Sequence, residues 1–308
     1  KINFNFTVSD SEKFYVEKIN LVGNFNTIEE VIRNNLVVDE GDPFNEILFN
    51  KSLNNIRSLG IFKNVESKVE KGSSPNQRVV NISVEEKPTG EISLGAGVGT
   101  SGTVIGGGVK EKNFLGKGIT LRTDLELSEE AIKGSLTYAK PYFNYTDNTL
   151  FTTVKSTTED NLTASGYKIS TAGFSIGTKF EQYENLFFSP EVDFNVEDLT
   201  TNSNASNNLR KQEGNYTDFY FNYGLDYDTR DSSYNPSKGN RISFYQKLPI
   251  SSDQKEITNS FTFTKYKSLN EENSMIGKAS FFFKGVNSID GSDVRISKRA
   301  KMPYYRLR

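Results

Sequence analysis

The sequence predicts two joined fold classes: a small α+β domain up to about residue 88, then an antiparallel transmembrane β-barrel to the end of the chain. Three observations predict this. Before Pro88, short strand-like runs alternate with segments of helical apolar periodicity. After Glu91, nearly every segment alternates polar and apolar residues, the pattern of a strand with two unlike faces. Between them lies Pro88–Lys110, with seven glycines from Gly95 to Gly108, where one style gives way to the other.

Composition narrows the chemistry. The 308 residues carry 37 basic and 39 acidic side chains, net −2, so no global field points to nucleic acid. With no Cys and no His, thiol nucleophiles, disulfides, histidine-based zinc sites and Ser-His-Asp triads are excluded. No run of 18 apolar residues occurs and mean hydropathy is −0.56, so no transmembrane helix is expected. A barrel is still allowed, because alternating lipid-facing and inward-facing residues look hydrophilic on average. The chain is rich in aromatics, with 23 Phe and 15 Tyr but no Trp. Lys1–Ser9 alternates like a strand rather than forming the apolar core of a signal peptide, so the chain is expected to begin inside a longer protein.

In the first module, Phe14–Val22 reads as a strand ended by Gly23-Asn24. Thr27–Leu36 reads as a helix with Thr27 as N-cap and Glu30 at capping-box spacing, its apolar face being Ile28, Val31, Ile32 and Leu36. Asn45–Leu59 reads as a second helix, with Ile47, Leu48, Leu53, Ile56 and Leu59 as its stripe and Gly60 as its stop. Strands follow at 62–70 and 78–86, joined by a turn at Lys71–Asn76. The order β-α-α-β-β fits a generic small α+β domain. More specifically, Tyr15-Val-Glu-Lys-Ile-Asn-Leu-Val-Gly-Asn24, Leu59-Gly-Ile-Phe-Lys-Asn-Val65 and Val84-Glu-Glu-Lys87 resemble a POTRA (polypeptide-transport-associated) domain. The implied division is residues 1–12 as the end of a preceding repeat and linker, 13–88 as the POTRA domain, and 89–308 as barrel.

The second half offers eleven strand candidates, centred on 91–98, 103–112, 119–127, 132–140, 149–158, 167–180, 186–197, 216–228, 240–249, 256–267 and 274–285. Segments of roughly 10 residues suit a tilted strand crossing a bilayer. A soluble β-sandwich also alternates. Against it stand the consistent polar face, with Asp124, Glu126, Asp193 and Asp226 recurring, and aromatics near segment ends such as Tyr142-Phe143 and Phe187-Phe188. Loop lengths also alternate: Thr158–Gly166 and Thr200–Gly214 are long, whereas Gln182–Asn185 and Leu269–Asn273 are tight.

Two motifs invite chemistry. Gly97-Val-Gly99-Thr-Ser-Gly102 spells the dinucleotide-binding string, but the β-branched, glycine-rich Thr103–Val109 opens no helix to hold a pyrophosphate. Asp226–Asp231 with Pro236 and Gly239 is carboxylate-rich, yet it lacks the acid-rich twelve-residue loop of a Ca²⁺ site. A hairpin turn fits better, with Arg230 bonding Asp228 and Asp231 and with Pro236 and Gly239 supplying turn geometry.

That turn, together with Pro88-Thr-Gly90, Lys112-Asn-Phe-Leu-Gly116 and Lys140-Pro-Tyr-Phe143, resembles the BamA-type family of outer-membrane assembly barrels over nearly the whole chain. The resemblance implies periplasmic POTRA repeats and a sixteen-stranded barrel whose first and last strands pair weakly, so that a client barrel adds strands at the opened seam. In the family the long loop after strand eleven folds into the lumen and carries a Val/Ile-Arg-Gly-Phe signature. Leu307-Arg308 matches its first half, with Leu in place of Val or Ile, and the acids that would meet Arg308 would lie on later strands. The chain is therefore expected to be a fragment, with about eleven of sixteen strands, ending within that loop.

The expected function is assembly and insertion of outer-membrane β-barrels by strand templating, with no enzymatic activity, cofactor or metal. The expected partners are unfolded outer-membrane proteins, accessory lipoproteins at the POTRA domain and the lipid bilayer, but not nucleic acid. The alternative within the superfamily is a secretion pore of the two-partner or autotransporter-assembly type. A passive porin would not need a POTRA module, and a soluble adhesin would need no detergent. The glycine stretch then reads as a lateral gate: Ile92, Leu94, Ala96 and Val98 face lipid, while Gly95, Gly97 and Gly99 leave the inner face bare.

Overall fold

The computed structural model describes residues 12–99, 102–232, 236–270 and 275–300. It divides into two compact units: the chain up to Gly90 together with Glu111–Ile119, and Glu91–Lys110 together with the chain from Thr120.

The first unit contains β1 (Tyr15–Val22), α1 (Glu29–Arg33), α2 (Glu46–Ser58), β2 (Phe62–Lys71) and β3 (Gln77–Glu86). Its sheet has the order β1-β3-β2, with β1 parallel to β3 and β2 antiparallel to it. A parallel pair needs a long crossover, which the two helices and β2 provide. The core gathers Val16 and Ile19 of β1, Ile32 of α1, Leu53 and Ile56 of α2, and Val80, Ile82 and Val84 of β3. Burying each such aliphatic side chain contributes about 1.5–3 kcal/mol.

Local chemistry explains the Gly23-Asn24 signature. Gly23 has φ +92°, and a Cβ there would stand 2.0 Å from the Val84 carbonyl oxygen. Asn24 Nδ2 donates to the Thr27 carbonyl oxygen at 3.0 Å. Glu86 closes the loop, accepting from the backbone N–H of Asn26 and Thr27 at 3.0 and 2.7 Å and from Asn26 Nδ2 at 2.8 Å. Burial alone would raise the Glu86 carboxyl, but the bonds from Thr27 and Asn26 outweigh it and hold its pKa below the ordinary value.

Two helix expectations are corrected. Thr27 does not cap α1: the N-cap is Ile28, without a side-chain bond, and Thr27 Oγ1 accepts instead from Asn113 Nδ2 at 2.9 Å. In α2 the buried face is Phe49, Ser52, Leu53 and Ile56, whereas Ile47 is 80% exposed. Asn45 caps this helix, accepting from the N–H of Ile47 and Leu48, and Ile47 falls outside the i, i+3, i+4, i+7 face that Phe49, Ser52, Leu53 and Ile56 define.

The second fold class is one open eleven-stranded sheet. Its strands are β4 (Gly90–Gly99), β5 (Gly102–Phe114), β6 (Ile119–Ser128), β7 (Ala131–Lys140), β8 (Thr149–Asn161), β9 (Tyr167–Tyr183), β10 (Leu186–Thr201), β11 (Gly214–Asp228), β12 (Gly239–Ser252), β13 (Glu256–Ser268) and β14 (Ile276–Ser288). Each pairs with its neighbours in sequence, and β4 and β14 stand at the two edges. This is a large antiparallel sheet that does not close, as a truncated barrel would be.

Register keeps two unlike faces continuous. Phe194 lies opposite Phe174 and Phe219, while Asp193 lies opposite Ser175 and Tyr220. On the apolar face, the Phe180, Phe188, Tyr223 and Phe244 rings follow one another at 5.7, 6.2 and 6.1 Å between centroids. On the polar face, Asp193 accepts from Lys155 Nζ at 3.2 Å and Lys247 Nζ at 3.0 Å. Lys155 crosses β9 because Gly173 lies beneath it: a Cβ there would stand 2.6 Å from Lys155 Cε and 2.3 Å from Asn195 Oδ1.

Candidate functional site: an edge strand, a turn and a buried arginine

The glycine stretch forms β4 and β5, with Gly99 ending one and Gly102 starting the other, so the dinucleotide string lies in strands and opens no helix. On β4, Ile92, Leu94 and Val98 are 79%, 87% and 84% exposed. Gly95 and Gly97 have nothing within 4 Å of where a Cβ would stand, so between these exposed apolar residues the strand offers backbone and little side chain. Gly107 of β5 is bare for another reason: its Cβ would sit 2.8 Å from Leu94 Cδ2. The open edge presents backbone N–H and C=O groups, which is the chemistry of strand addition.

The Asp228–Gly239 segment is a turn between β11 and β12, with one change from the sequence expectation. Of the two acids Arg230 bonds Asp228, through Nε at 2.8 Å and Nη2 at 2.6 Å. Asp231 instead accepts from the backbone N–H of Ser237 and Lys238 at 2.9 and 3.2 Å, and from the Ser237 hydroxyl. The Ser237 hydroxyl is the main cause that lowers the Asp231 pKa to about 2. The two acids separate because Asp231 lies further along the hairpin, where its N–H donates to the Lys238 carbonyl oxygen at 3.2 Å and its carboxylate meets the returning arm. Gly239 has φ +106°, and its Cβ would stand 2.3 Å from the Thr229 carbonyl oxygen. Pro236 belongs to the returning arm. Among the described residues no cluster of three or more acidic side chains is placed to hold a metal.

Leu307 and Arg308 lie outside the described residues, but the same basic segment contains a site that sequence reasoning missed. Arg295, seven residues beyond β14, is fully buried on the polar face of the sheet. Its Nη2 donates to Asp218 Oδ2 at 2.5 Å and its Nη1 to Glu197 Oε1 at 3.4 Å, and the guanidinium carbon stands 4.2 Å from the centre of the Tyr216 ring. Lys298 Nζ reaches Glu197 and Asp218 at 3.2 and 3.1 Å. Ser297 Oγ donates to Glu197 at 2.7 Å, and the Ile296 N–H donates to Gln212 Oε1 at 3.0 Å. The loop is thus bolted to the polar face at β10 and β11. Burying two carboxylates is costly unless cations meet them, and the loop supplies two.

A strand-built membrane architecture behind a POTRA module defines a class, and comparison with known proteins gives the family. Residues 113–300 match the model described as the Omp85 superfamily domain, and residues 14–87 match the POTRA model described as a surface antigen variable number repeat. The chain belongs to the Omp85 superfamily. It is 30% identical over 231 residues to the outer membrane protein assembly factor BamA of Neisseria meningitidis serogroup B, covering 72% of this chain and 28% of that protein. BamA of Buchnera aphidicola is 28% identical over 147 residues, 47% of this chain and 24% of that protein. The chain thus spans about a quarter of the length of these relatives. Among solved structures, BamA of Haemophilus ducreyi lacking POTRA domains 1–3 matches with TM-score 0.76 at 23% identity, over 92% of this chain and 57% of that one. CdiB of Escherichia coli matches with TM-score 0.59 at 10% identity, over 90% of this chain and 55% of that one. The two likenesses establish the fold.

Proposed function

We propose that the chain is the membrane-proximal POTRA domain and first eleven strands of an outer-membrane β-barrel assembly factor. It templates client strands at the β4 edge. The observation that carries this reading is the construction of that edge. Exposed Ile92, Leu94 and Val98 are interleaved with Gly95 and Gly97, whose missing side chains leave nothing to hold a partner strand but its backbone. An edge that binds through main-chain hydrogen bonds alone accepts many client sequences and releases them readily. The 30% identity to the Neisseria assembly factor supports the same role.

In this reading the apolar face meets lipid of the outer membrane, the POTRA unit lies in the periplasm, and unfolded outer-membrane proteins and accessory lipoproteins are its partners. The POTRA sheet offers β2 as an edge for extended segments, because the outer side of β1 is taken at its start by residues 41–44, where the Val16 N–H donates to the Asp42 carbonyl oxygen at 2.9 Å. Leu307-Arg308 follow in sequence the segment that Arg295 anchors, as the family's lumen-loop signature would, and the Asp228–Gly239 turn keeps β11 and β12 in register at the periplasmic end. No covalent step is involved. The secretion-pore alternative rests on the CdiB likeness, which bears on fold alone.

Reconstitution tests the proposal. Proteoliposomes holding the full-length protein should speed the appearance of heat-modifiable client barrels over empty vesicles. Equal rates would overturn it.

A further inference from the structure

We propose that Phe25 of the POTRA domain and Leu115 of the β5–β6 turn form one apolar tip that seats in the periplasmic leaflet of the bilayer. Phe25 is 93% exposed and Leu115 is 70% exposed, and both belong to the N-terminal compact unit. The residues beside them are fastened together. The Ile28 N–H donates to the Gly116 carbonyl oxygen at 2.9 Å, and Asn113 Nδ2 donates to Thr27 Oγ1 at 2.9 Å. Gly116 approaches so closely that a Cβ would stand 1.9 Å from the Asn26 carbonyl oxygen.

The partner follows from connectivity. Leu115 lies between the last residue of β5 and the first of β6, so a turn joining two membrane-crossing strands sets its level at the bilayer surface. The contacts at Asn26, Thr27 and Ile28 bring the Phe25 loop to that same turn. Leu115 holds φ +56°, a conformation costly for a branched side chain, which fixes its direction. An apolar and an aromatic side chain held at the edge of the hydrocarbon gain from partial insertion, and exposed Lys117 in the same turn faces lipid phosphate.

The inference rests on the proposal that the barrel crosses a bilayer, and one experiment separates the two. The chain has no tryptophan, so each substituted Trp is a sole reporter once any Trp elsewhere in the full-length protein is replaced by Phe. The full-length protein carrying Phe25→Trp, Leu115→Trp, Ile47→Trp or Phe283→Trp is placed in phosphatidylethanolamine–phosphatidylglycerol vesicles containing lipids brominated near the headgroup. Phe283, 55% exposed on the β14 wall, reports the bilayer; Ile47, 80% exposed on α2, reports the same POTRA unit away from the tip. We expect marked loss of emission from Trp at positions 25, 115 and 283 and little from position 47. Quenching at 283 with position 25 no more quenched than 47 overturns the tip alone. No quenching at 283 overturns the membrane reading and the tip with it.

Discussion

At the scale of single residues, buried charge governs the outcome. Arg295 meets carboxylates 98 and 77 positions earlier in the chain, Glu197 and Asp218, and all three side chains are buried. Truncating it as Arg295→Met leaves two buried acids with Lys298 alone, and breaking such a pair costs about 3–5 kcal/mol. The heat-modifiability midpoint of the barrel should fall, and adding Asp218→Asn should recover part of the loss. Glu86 makes the opposite kind of contribution, through pH. Its folded pKa lies below its unfolded value, so its stabilisation is complete above the ordinary carboxylate range and is lost as pH falls through the depressed folded value. Acid titration of POTRA unfolding should show this loss, and Glu86→Gln should flatten that part of the curve. At Gly239, alanine meets both a positive φ and the Thr229 carbonyl, so Gly239→Ala should destabilise by about 1–3 kcal/mol in the same heat-modifiability assay.

At the scale of elements, periodicity made all eleven sheet strands legible, because each carries an apolar set facing one way and a polar or bare set facing the other. It marked their ends less well. The alternation fades near 180 and 197, yet β9 continues to Tyr183 and β10 to Thr201. Apolar alternation marks only the stretch with two unlike faces, whereas the hydrogen-bonded ladder extends past it. The α1 cap was misread because Thr27 has a partner in the distant 113–118 turn, which no local spacing reveals. The Arg295 anchor was hidden in the same way. The signals were present separately, as a basic run without acids and as acids recurring on strand faces, but only the fold brings them together. Gly97→Val tests the edge element itself. Nothing stands within 4 Å of that position, so the side chain fits and strand propensity rises by up to roughly 1 kcal/mol. Thermal stability should hold or increase while client insertion slows.

At the scale of the molecule, the parts make one device: a sheet held rigid by Asp193 with its two lysines, a loop anchored on the polar face, and a first strand left nearly bare. Rigidity in the body and looseness at one edge are what the proposed templating requires, since under that proposal a client strand binds in register and then leaves. Site-specific photocrosslinking to nascent barrel proteins tests this most directly. Leu94 and Val98 on β4 are compared with Leu136 and Val154, which are 44% and 51% exposed on interior strands β7 and β8. The account predicts client adducts at the β4 positions and none on the interior strands. Adducts distributed equally over all four, or absent from β4, would contradict it.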